Sequence, residues 1–447
     1  MLFAFRIHLL IFSKKLIHSR GGYVKKLITL LLISILFVSS AYAGGFQIGT
    51  QNARAMGMAG AFVGMASDAS SIYFNPAGLS NVKGFNIVAG TTLIMPTVDF
   101  TGPKPLTTKT ETVARTFTPI NFYGAYAVND KWTVGVGVFN PYGLGSEWPD
   151  GWIGKSLAVK TELQTFYVNP TIAYKVNEYF SVGVGFSFVI SKVTFLQAID
   201  IPPIPLAPGA TLPAANNVKI NLDGQGDPTF TFNFGFLFKP DDKFSFGFSY
   251  RHNVELNFSG DLTFDGLPAK PTGFPVGHSD LFPNGKGKTT IVMPYDIRGG
   301  VSFNATKDLT INADVMFVGW SSYKYLNVDF DKNTSAWKDL MSPKYWENSI
   351  TFRIGGEYRI KDLALRAGYV RDGSPIPTKY MDPSLPGANR NEFTLGVGYQ
   401  FTPMIRADVA YQYISFKNDL GDSAMGFNGL YENSTNLFGF NLAFNFN

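Results

Sequence analysis

Large apolar residues alternate with small or polar ones along most of the chain, most plainly in its last ten residues. There the apolar positions are Phe438, Phe440, Leu442, Phe444 and Phe446, and glycine, alanine and asparagine lie between them. Because successive side chains of a strand point to opposite faces, one face of this segment is wholly apolar. Further runs of this kind lie at 182–190, 229–238, 244–250 and 350–358. Such repetition predicts a membrane β-barrel, with hydrocarbon outside and polar packing inside.

The alternation predicts a set of strands joined by short turns and long loops in strict succession. The strands lie near 85–98, 116–128, 132–139, 161–176, 180–197, 216–238, 243–259, 287–304, 308–318, 348–360, 364–371, 391–401, 405–415 and 435–447. Outer-membrane barrels have short periplasmic turns and longer extracellular loops, and their closure leaves no unpaired amides in lipid. We therefore predict an all-β membrane protein, a 14-stranded antiparallel barrel of the bacterial outer membrane.

The first 43 residues have the pattern of a secretory signal peptide. Lys25 and Lys26 precede an apolar run over 27–38, and the small-residue cleavage pattern Ala-Tyr-Ala follows at 41–43. The apolar run is too short to span a bilayer as a helix. We expect the mature chain to begin directly after this leader.

Residues 1–23 extend beyond what a bacterial leader needs, and Val24 stands directly before the two lysines. We hypothesise that translation starts at codon 24 and that residues 1–23 are a wrongly assigned start. Without the leader the chain has 32 basic and 33 acidic residues, a net charge of about −1 in place of +5. This balance gives no reason to expect a nucleic-acid partner.

The segment 44–84 does not follow the strand pattern and is rich in alanine, glycine, methionine and serine. It carries too much apolar surface for a disordered segment, although a flexible periplasmic tail is the alternative. We predict a mainly helical hatch over 44–84 that plugs the lumen of a barrel formed by 85–447. The hatch is predicted to end in a proline-fixed turn at Asn75, Pro76 and Ala77.

Four segments together resemble the FadL-type outer-membrane transporters of long-chain fatty acids and hydrophobic compounds, which include toluene and xylene transporters. They are the hatch with its Asn-Pro-Ala, the segment 140–155, the pair Tyr250-Arg251 with the strand after it, and 366–399 with Ser-Pro-Ile-Pro at 374–377. The resemblance covers nearly all of the chain after the leader. It implies uptake of hydrophobic small molecules, long-chain fatty acids in the first place.

The same resemblance implies a route for the ligand. A groove of apolar extracellular loops receives it, an internal pocket holds it against the hatch, and a hatch shift releases it sideways into the membrane. The side exit depends on an inward kink of the third strand, Trp132 to Phe139, for which Gly135 and Gly137 are the predicted weak points.

Candidate ligand contacts lie in the loops and the lumen. The loop 199–213 is apolar with one charge, and Phe264, Phe274 and Leu281 are predicted to form a second wall of the groove. Strand parity places cations on or near the lumen at Lys192, Arg298, Arg353, Arg366 and Arg406, and Lys192 needs a local bulge to reach it. Acidic residues on the same face are Asp314, Glu357 and Asp408. The charges either form a neutralising network that stiffens the wall, or one or two of the cations bind a ligand carboxylate.

Other functions are weighed against transport. A general diffusion porin, an outer-membrane lipid-processing enzyme and an adhesive barrel are the alternatives. The chain has no cysteine, and His252 and His278, the histidines after the leader, lie in no pattern for nucleophilic catalysis. We therefore predict no catalytic residues, no metal and no cofactor. The predicted partners are a hydrophobic ligand, outer-membrane lipid and lipopolysaccharide, with the protein a monomer.

Overall fold

The computed structural model describes residues 45–446. The predicted signal peptide and the hypothesis on residues 1–23 lie outside the described residues. In chain order the strands are β1 (Phe85–Thr101), β2 (Lys109–Glu111), β3 (Ile120–Ala127), β4 (Trp132–Phe139), β5 (Gly143–Glu147), β6 (Lys160–Lys175), β7 (Phe180–Ile201), β8 (Ile204–Ala207), β9 (Ala210–Leu212), β10 (Ala215–Gly226), β11 (Thr229–Phe238), β12 (Phe244–Arg251), β13 (Val254–Asp265), β14 (Gly285–Met293), β15 (Asp296–Asn304), β16 (Leu309–Val318), β17 (Tyr325–Phe330), β18 (Leu340–Pro343), β19 (Ser349–Ile360), β20 (Leu363–Asp372), β21 (Arg390–Thr402), β22 (Ile405–Asp419) and β23 (Leu430–Phe446).

Helical structure in the described part of the chain is confined to short turns. The helices are α1 (Ala53–Met56), α2 (Ser71–Phe74) and α3 (His278–Leu281), with 3-10 helices at Pro76–Asn81, Trp320–Ser322 and Thr378–Tyr380. Within residues 45–446, no helix has the length and apolar character needed to cross a membrane.

Most of the longer strands form one closed antiparallel ring. Its order is β1, β3, β4, β6, β7, β11, β12, β15, β16, β19, β20, β21, β22 and β23. The ring closes where β1 pairs with β23, from Phe85 opposite Phe446 to Thr101 opposite Leu430. Each ring strand therefore has a neighbour on both sides, as lipid requires. The predicted 14-stranded barrel is confirmed.

The two faces of the ring follow the alternation of the sequence. In β23, Phe438 and Phe440 are exposed on the outer face, whereas Asn441 and Ala443 are buried on the inner face. Phenylalanines that would be a solubility hazard in water are thus the surface that lipid covers.

Three predicted strands are each divided in two. The range 216–238 forms β10 and β11, 243–259 covers β12 and part of β13, and 287–304 covers β14 and β15. Pro228 and Pro294 lie at two of the breaks, where a residue without an N–H cannot continue the ladder. Beyond the breaks, β10, β13, β14, β17 and β18 pair with one another outside the ring. We call this group of strands the extension.

Residues 45–84, the hatch, lie inside the ring. The side chain of Asn52 caps α1, and the side chain of Asn75 caps the 3-10 helix that follows it. Ala59 and Gly60 adopt left-handed backbone conformations, which end the helical path after α1. The hatch is therefore a chain of single helical turns joined by tight bends.

Glycines of the wall make room for the hatch backbone. A Cβ atom at Gly183 would lie 2.4 Å from the carbonyl carbon of Pro76, and one at Gly235 would lie 2.1 Å from Oδ1 of Asn75. Approaches to hatch atoms within 2.0–2.9 Å occur at Gly247, Gly300, Gly355, Gly368 and Gly396. The small residues that alternate with phenylalanine in the sequence are thus the positions where any side chain would displace the hatch.

Candidate functional site

A cavity of about 580 Å³ lies between the hatch and the inner wall of the ring. Hatch residues 45–50 form one side of it. Apolar residues of the wall contribute to the rest, among them Ile94, Val98, Leu163, Met316, Phe416 and Leu437. A cavity of this size and lining suits a small apolar molecule with few polar groups. We call it the central cavity.

One end of the central cavity is polar. Its lining there consists of Arg353 of β19, Asp372 of β20, Arg390 and Glu392 of β21, and Gln412 of β22. Asp372 lies directly opposite Arg390 in the ladder between β20 and β21. Two guanidinium groups and two carboxylates therefore meet on three neighbouring strands. We call these five residues the polar end.

The two guanidinium groups of the polar end hold the hatch. Arg353 donates from Nη1 to the carbonyl oxygen of Ala59 at 2.9 Å, and Arg390 donates from Nη2 to that of Gly45 at 3.1 Å. Sequence parity predicted Arg353 correctly as a lumen residue but did not single out Arg390. The same alternation, applied to 391–401, would have placed Glu392 in the lumen too.

The barrel wall is interrupted beside the central cavity. β3 pairs with β4 only as far as the end of β4, after which β5 pairs with β6 and meets the facing segment only at Glu147, whose carbonyl oxygen accepts from the Val113 amide at 2.7 Å. Asn140 spans the break, because its Nδ2 donates to the carbonyl oxygen of Thr165 at 2.6 Å and its Oδ1 accepts from the Ile120 amide at 2.9 Å. The cavity lining includes 116–120 and 143–146 on the two sides of this break. We call the break the side opening.

The central cavity reaches the outer face of the barrel through the side opening. Along β6, buried and exposed positions alternate, so Leu163 and Thr165 face inward while Gln164 and Phe166 face outward. All four residues line the cavity. Residues from both faces of β6 therefore border the central cavity at the side opening.

The structure corrects the predicted position of the kink in the third ring strand. Gly135 and Gly137 lie in β4, which pairs without a register break with both β3 and β6. Both glycines face Ile72 of the hatch, and their missing side chains let α2 approach the wall. The interruption follows the end of β4, at residues 140–142.

Substitution Gly137→Val should loosen the hatch. A Cβ atom at this position would lie 2.9 Å from Cγ2 of Ile72 and 3.0 Å from Cδ1 of Tyr123, so the valine forces α2 away from the wall. We expect measurable ion leakage in planar bilayers. The control is Gly299→Val, since a Cβ at Gly299 meets nothing within 4 Å. Equal leakage of both variants, or of neither, would contradict this role.

A closed ring of ion pairs joins the hatch to the barrel wall. It runs through Arg54, Glu357, Arg366, Asp408, Arg406 and Asp68, and its N–O distances lie between 2.8 and 3.2 Å. Arg54 and Asp68 belong to the hatch, and the other members belong to β19, β20 and β22. We call this group the ion ring.

The predicted lumen arginines have different surroundings. Arg366 is buried within the ion ring, where both of its partners are carboxylates. Arg298 is paired with Asp296 at 2.7 Å and lies 4.8 Å from the centre of the Tyr73 ring. These two arginines hold structure together, and of the predicted lumen cations Arg353 alone lines the central cavity.

Lys192 does not reach the lumen, contrary to the prediction. β7 pairs with β6 in one continuous register, so the bulge that Lys192 would need is absent there. The side chain shares the outward parity of Ile190 and forms a partly exposed ion pair with Asp223 at 3.3 Å. Lys192 therefore belongs to the outer surface near the extension.

The predicted apolar loop residues gather away from the central cavity. Phe264 is buried in β13, and Leu281 packs against the same apolar cluster, which includes Phe282 and Trp337. Phe274 is partly buried in the loop before α3. Phe264 and Leu281 belong to a core of the extension, and none of the three residues lines the central cavity or the side opening.

The predicted turn at Asn75, Pro76 and Ala77 fastens the hatch to the wall. Asn75 is buried, and its Nδ2 donates to the carbonyl oxygen of Val63 at 3.0 Å and to that of Phe236 at 2.9 Å. One side chain thus links two parts of the hatch to β11.

A buried ion pair that sequence reasoning missed lies in the extracellular loops. Lys344 donates to Asp382, and both line a small apolar cavity of about 40 Å³ beside Phe46 and Trp346. Burial raises the pKa of Asp382, but the Lys344 ammonium and the Ser384 hydroxyl outweigh it and lower that pKa below 3.8. Burial opposes the charge of Lys344, yet Asp382 raises its pKa above 10.5. Lone charges in loops carry no periodic signal, so the pattern could not reveal this pair.

The Lys344–Asp382 pair should make loop docking pH-dependent. The lowered pKa of Asp382 contributes stability that is complete above 3.8 and is lost as pH falls through the folded-state pKa. The raised pKa of Lys344 contributes stability that is lost as pH rises beyond 10.5. We expect acrylamide to quench Trp346 more strongly below about pH 3.8, and Asp382→Asn to remove that transition. An unchanged transition in this variant would assign it to other groups.

A family model described as outer membrane protein transport protein (OMPP1/FadL/TodX) matches residues 34–446. A long-chain fatty acid transport protein of Escherichia coli O6:H1 is 26% identical over 446 residues. That match covers 93% of this chain and 98% of the relative. The resemblance drawn from the sequence motifs is thus confirmed.

Solved structures share the fold. A FadL homologue of Pseudomonas aeruginosa matches with a TM-score of 0.74 and 20% identity, over 90% of this chain and all of the other. The toluene transporter TodX of Pseudomonas putida matches with a TM-score of 0.66 and 16% identity, over 91% of this chain and all of the other. At these identities the likeness establishes the barrel fold.

Proposed function

The chain belongs to the OMPP1/FadL/TodX family of outer membrane transport proteins, and we propose that it takes up hydrophobic small molecules, long-chain fatty acids in the first place. The chain is accordingly a transporter of the outer membrane and not an enzyme. The observation that carries the proposal is the apolar central cavity with its side opening to the lipid-facing surface. A general diffusion porin would need an open aqueous lumen, which the hatch occupies.

The proposed route begins at the extracellular loops and ends in the membrane. A hydrophobic molecule enters the central cavity from the loop side and leaves between residues 116–120 and 143–146. Because Phe166 on the outer face of β6 lines the same cavity, the molecule passes from the lumen to lipid without crossing bulk water. The released ligand reaches the outer-membrane lipid directly.

Release requires the hatch to move. Burying a methylene contributes about 0.8 kcal/mol, so a chain of roughly 15 methylenes gains about 12 kcal/mol before association costs are subtracted. A rigid pocket would retain such a ligand too long for transport. Arg353 and Arg390 hold the hatch by its carbonyl oxygens, so a ligand carboxylate that attracts these guanidinium groups competes with the hatch for them.

The assembly state and the lipid contacts are also part of the proposal. Every ring strand is paired on both sides, so the ring itself does not need a second copy for closure. We propose a monomer whose aromatic outer face meets outer-membrane lipid and lipopolysaccharide.

The side opening is tested by blocking it. The chain has no cysteine, so Thr118→Cys provides a single site beside the opening for a bulky maleimide. We expect labelling to abolish most fatty-acid uptake into proteoliposomes, because the label fills the lateral path. The matched control is Ser321→Cys in an exposed loop, whose labelling should leave uptake unchanged. Full uptake through labelled Thr118→Cys would exclude this exit.

A further inference from the structure

The polar end of the central cavity offers hydrogen-bond acceptors as well as donors. Glu392 is 5% exposed and lines the cavity, and Gln412 donates to its Oε2. The Asp372 carboxylate lines the same end, and its Oδ1 accepts from the Thr351 hydroxyl at 2.6 Å. A carboxyl group has two oxygens, each able to accept, so Glu392 keeps acceptor capacity for a ligand beside its contact with Gln412.

The polar end carries as many acidic as basic side chains. The basic ones are Arg353 and Arg390, and the acidic ones are Asp372 and Glu392. Asp372 and both arginines act electrostatically on Glu392, so the four groups lie within range of one another. A plain fatty-acid anion gains from the arginines but is opposed by the carboxylates. A hydrocarbon satisfies neither kind of group and removes water from both.

We propose that the central cavity selects hydroxylated fatty acids, molecules with an apolar chain, a carboxylate and a hydroxyl on one of the first carbons. The inference rests on the proposed function, because it assumes that the central cavity holds the transported ligand. The carboxylate accepts from Arg353 and Arg390, and the hydroxyl donates to Glu392. Glu392 is then the residue that determines specificity, since the hydroxyl donates to an acceptor with which an unsubstituted chain forms no hydrogen bond.

Register sets the spacing between the two head-group contacts. Glu392 follows Arg390 by two residues on β21, on the same face of the strand. The backbone advances about 7 Å over two residues of a strand. The long side chains of Arg390 and Glu392 can bring their charged ends closer together than their backbones. A hydroxyl on the second or third carbon lies close enough to the carboxylate to use both contacts at once.

The test compares three ligands of equal chain length. Binding of hexadecanoate, 3-hydroxyhexadecanoate and 3-methoxyhexadecanoate to the full-length protein in amphipol is measured by calorimetry, with empty amphipol as the blank. We expect the hydroxy acid to bind about tenfold more tightly than hexadecanoate, the gain of one hydrogen bond to a charged group. The methoxy acid cannot donate, so it should lose this advantage.

Glu392→Gln should reduce the preference for the hydroxy acid to within about threefold while hexadecanoate still binds. The matched control is Glu255→Gln, which removes an exposed carboxylate of β13 and should keep the full preference. A preference for the hydroxy acid that survives in Glu392→Gln would overturn the inference but not the proposed function. So would wild type that binds the methoxy acid as tightly as the hydroxy acid. Equal binding of hexadecanoate and the hydroxy acid to wild type would do the same. Failure of all three ligands to bind would overturn the proposed function, and the inference with it.

Discussion

Deletion of residues 44–80 should convert a closed barrel into an ion-conducting pore. The hatch fills the lumen with fully buried side chains, among them Met58, Phe62 and Ile72. A barrel of this strand number has an interior too wide for its own wall side chains to fill, so removal of the hatch leaves a water-filled channel. Single-channel recordings in planar bilayers measure the effect, and we expect large, stable conductance steps where the intact protein shows none.

The matched control for the hatch deletion is removal of the hairpin 204–212, which contains β8 and β9 outside the ring. That deletion should leave the bilayer as tight as the intact protein does. Heat-modifiable migration on gels shows whether each deleted protein still forms a barrel. A folded hatch-deleted barrel that does not conduct would show that other segments close the lumen.

Substitution Glu357→Gln should destabilise the protein by about 3–5 kcal/mol, the cost of breaking a buried ion pair from one side. Glu357 is almost fully buried and contacts Arg54 at 3.1 Å, Arg366 at 2.8 Å and Arg359 at 2.7 Å. The neutral amide leaves these guanidinium groups without their shared counter-charge. The temperature at which the folded gel band disappears measures the loss.

The control for Glu357→Gln is again Glu255→Gln, where an exposed carboxylate is neutralised at the surface. Exposed charges contribute little, so its folded band should disappear at the wild-type temperature. If the folded gel bands of both variants disappear at the wild-type temperature, the ion ring does not stabilise the protein. If the Glu357→Gln protein also leaks ions at room temperature, the ion ring holds the hatch in place.

The alternation of the sequence was sufficient to predict the ring. Each ring strand needs an apolar outer face, so the period of two is imposed by lipid along its whole length. The break between β14 and β15 was not predicted, because apolar positions continue across it and Pro294 interrupts the hydrogen bonding alone. Between β10 and β11 the signals were Pro228 and the run 223–229, which has no large apolar residue but was included in one predicted strand.

The inward–outward alternation along a strand predicted which face of the barrel wall a residue occupies, but not which residues it contacts. It placed Arg298, Arg353 and Arg366 in the lumen correctly, yet it could not tell which of them meets a carboxylate. That depends on register between strands distant in sequence and on where the hatch runs. The lumen position predicted for Lys192 was wrong for a different reason, because the prediction assumed a bulge where the strand is regular.

Gly135 shows how one pattern can have another physical cause. Small residues in a strand suggest a weak point, but here the glycine accommodates Ile72 of the hatch. Nothing in the strand itself distinguishes the two causes, since the hatch is more than fifty residues away in the chain. The sequence pattern also did not predict the polar end, because its charged residues lie on three strands and meet only in the folded ring.

The glycine contacts between hatch and wall also set the order of assembly. They are spread over strands from β7 to β21, so the hatch backbone touches much of the circumference at distances that leave no room for sliding. A folded hatch of this width cannot be inserted into a finished barrel. We infer that the ring closes around a hatch already in place. Hatch and barrel are therefore one folding unit.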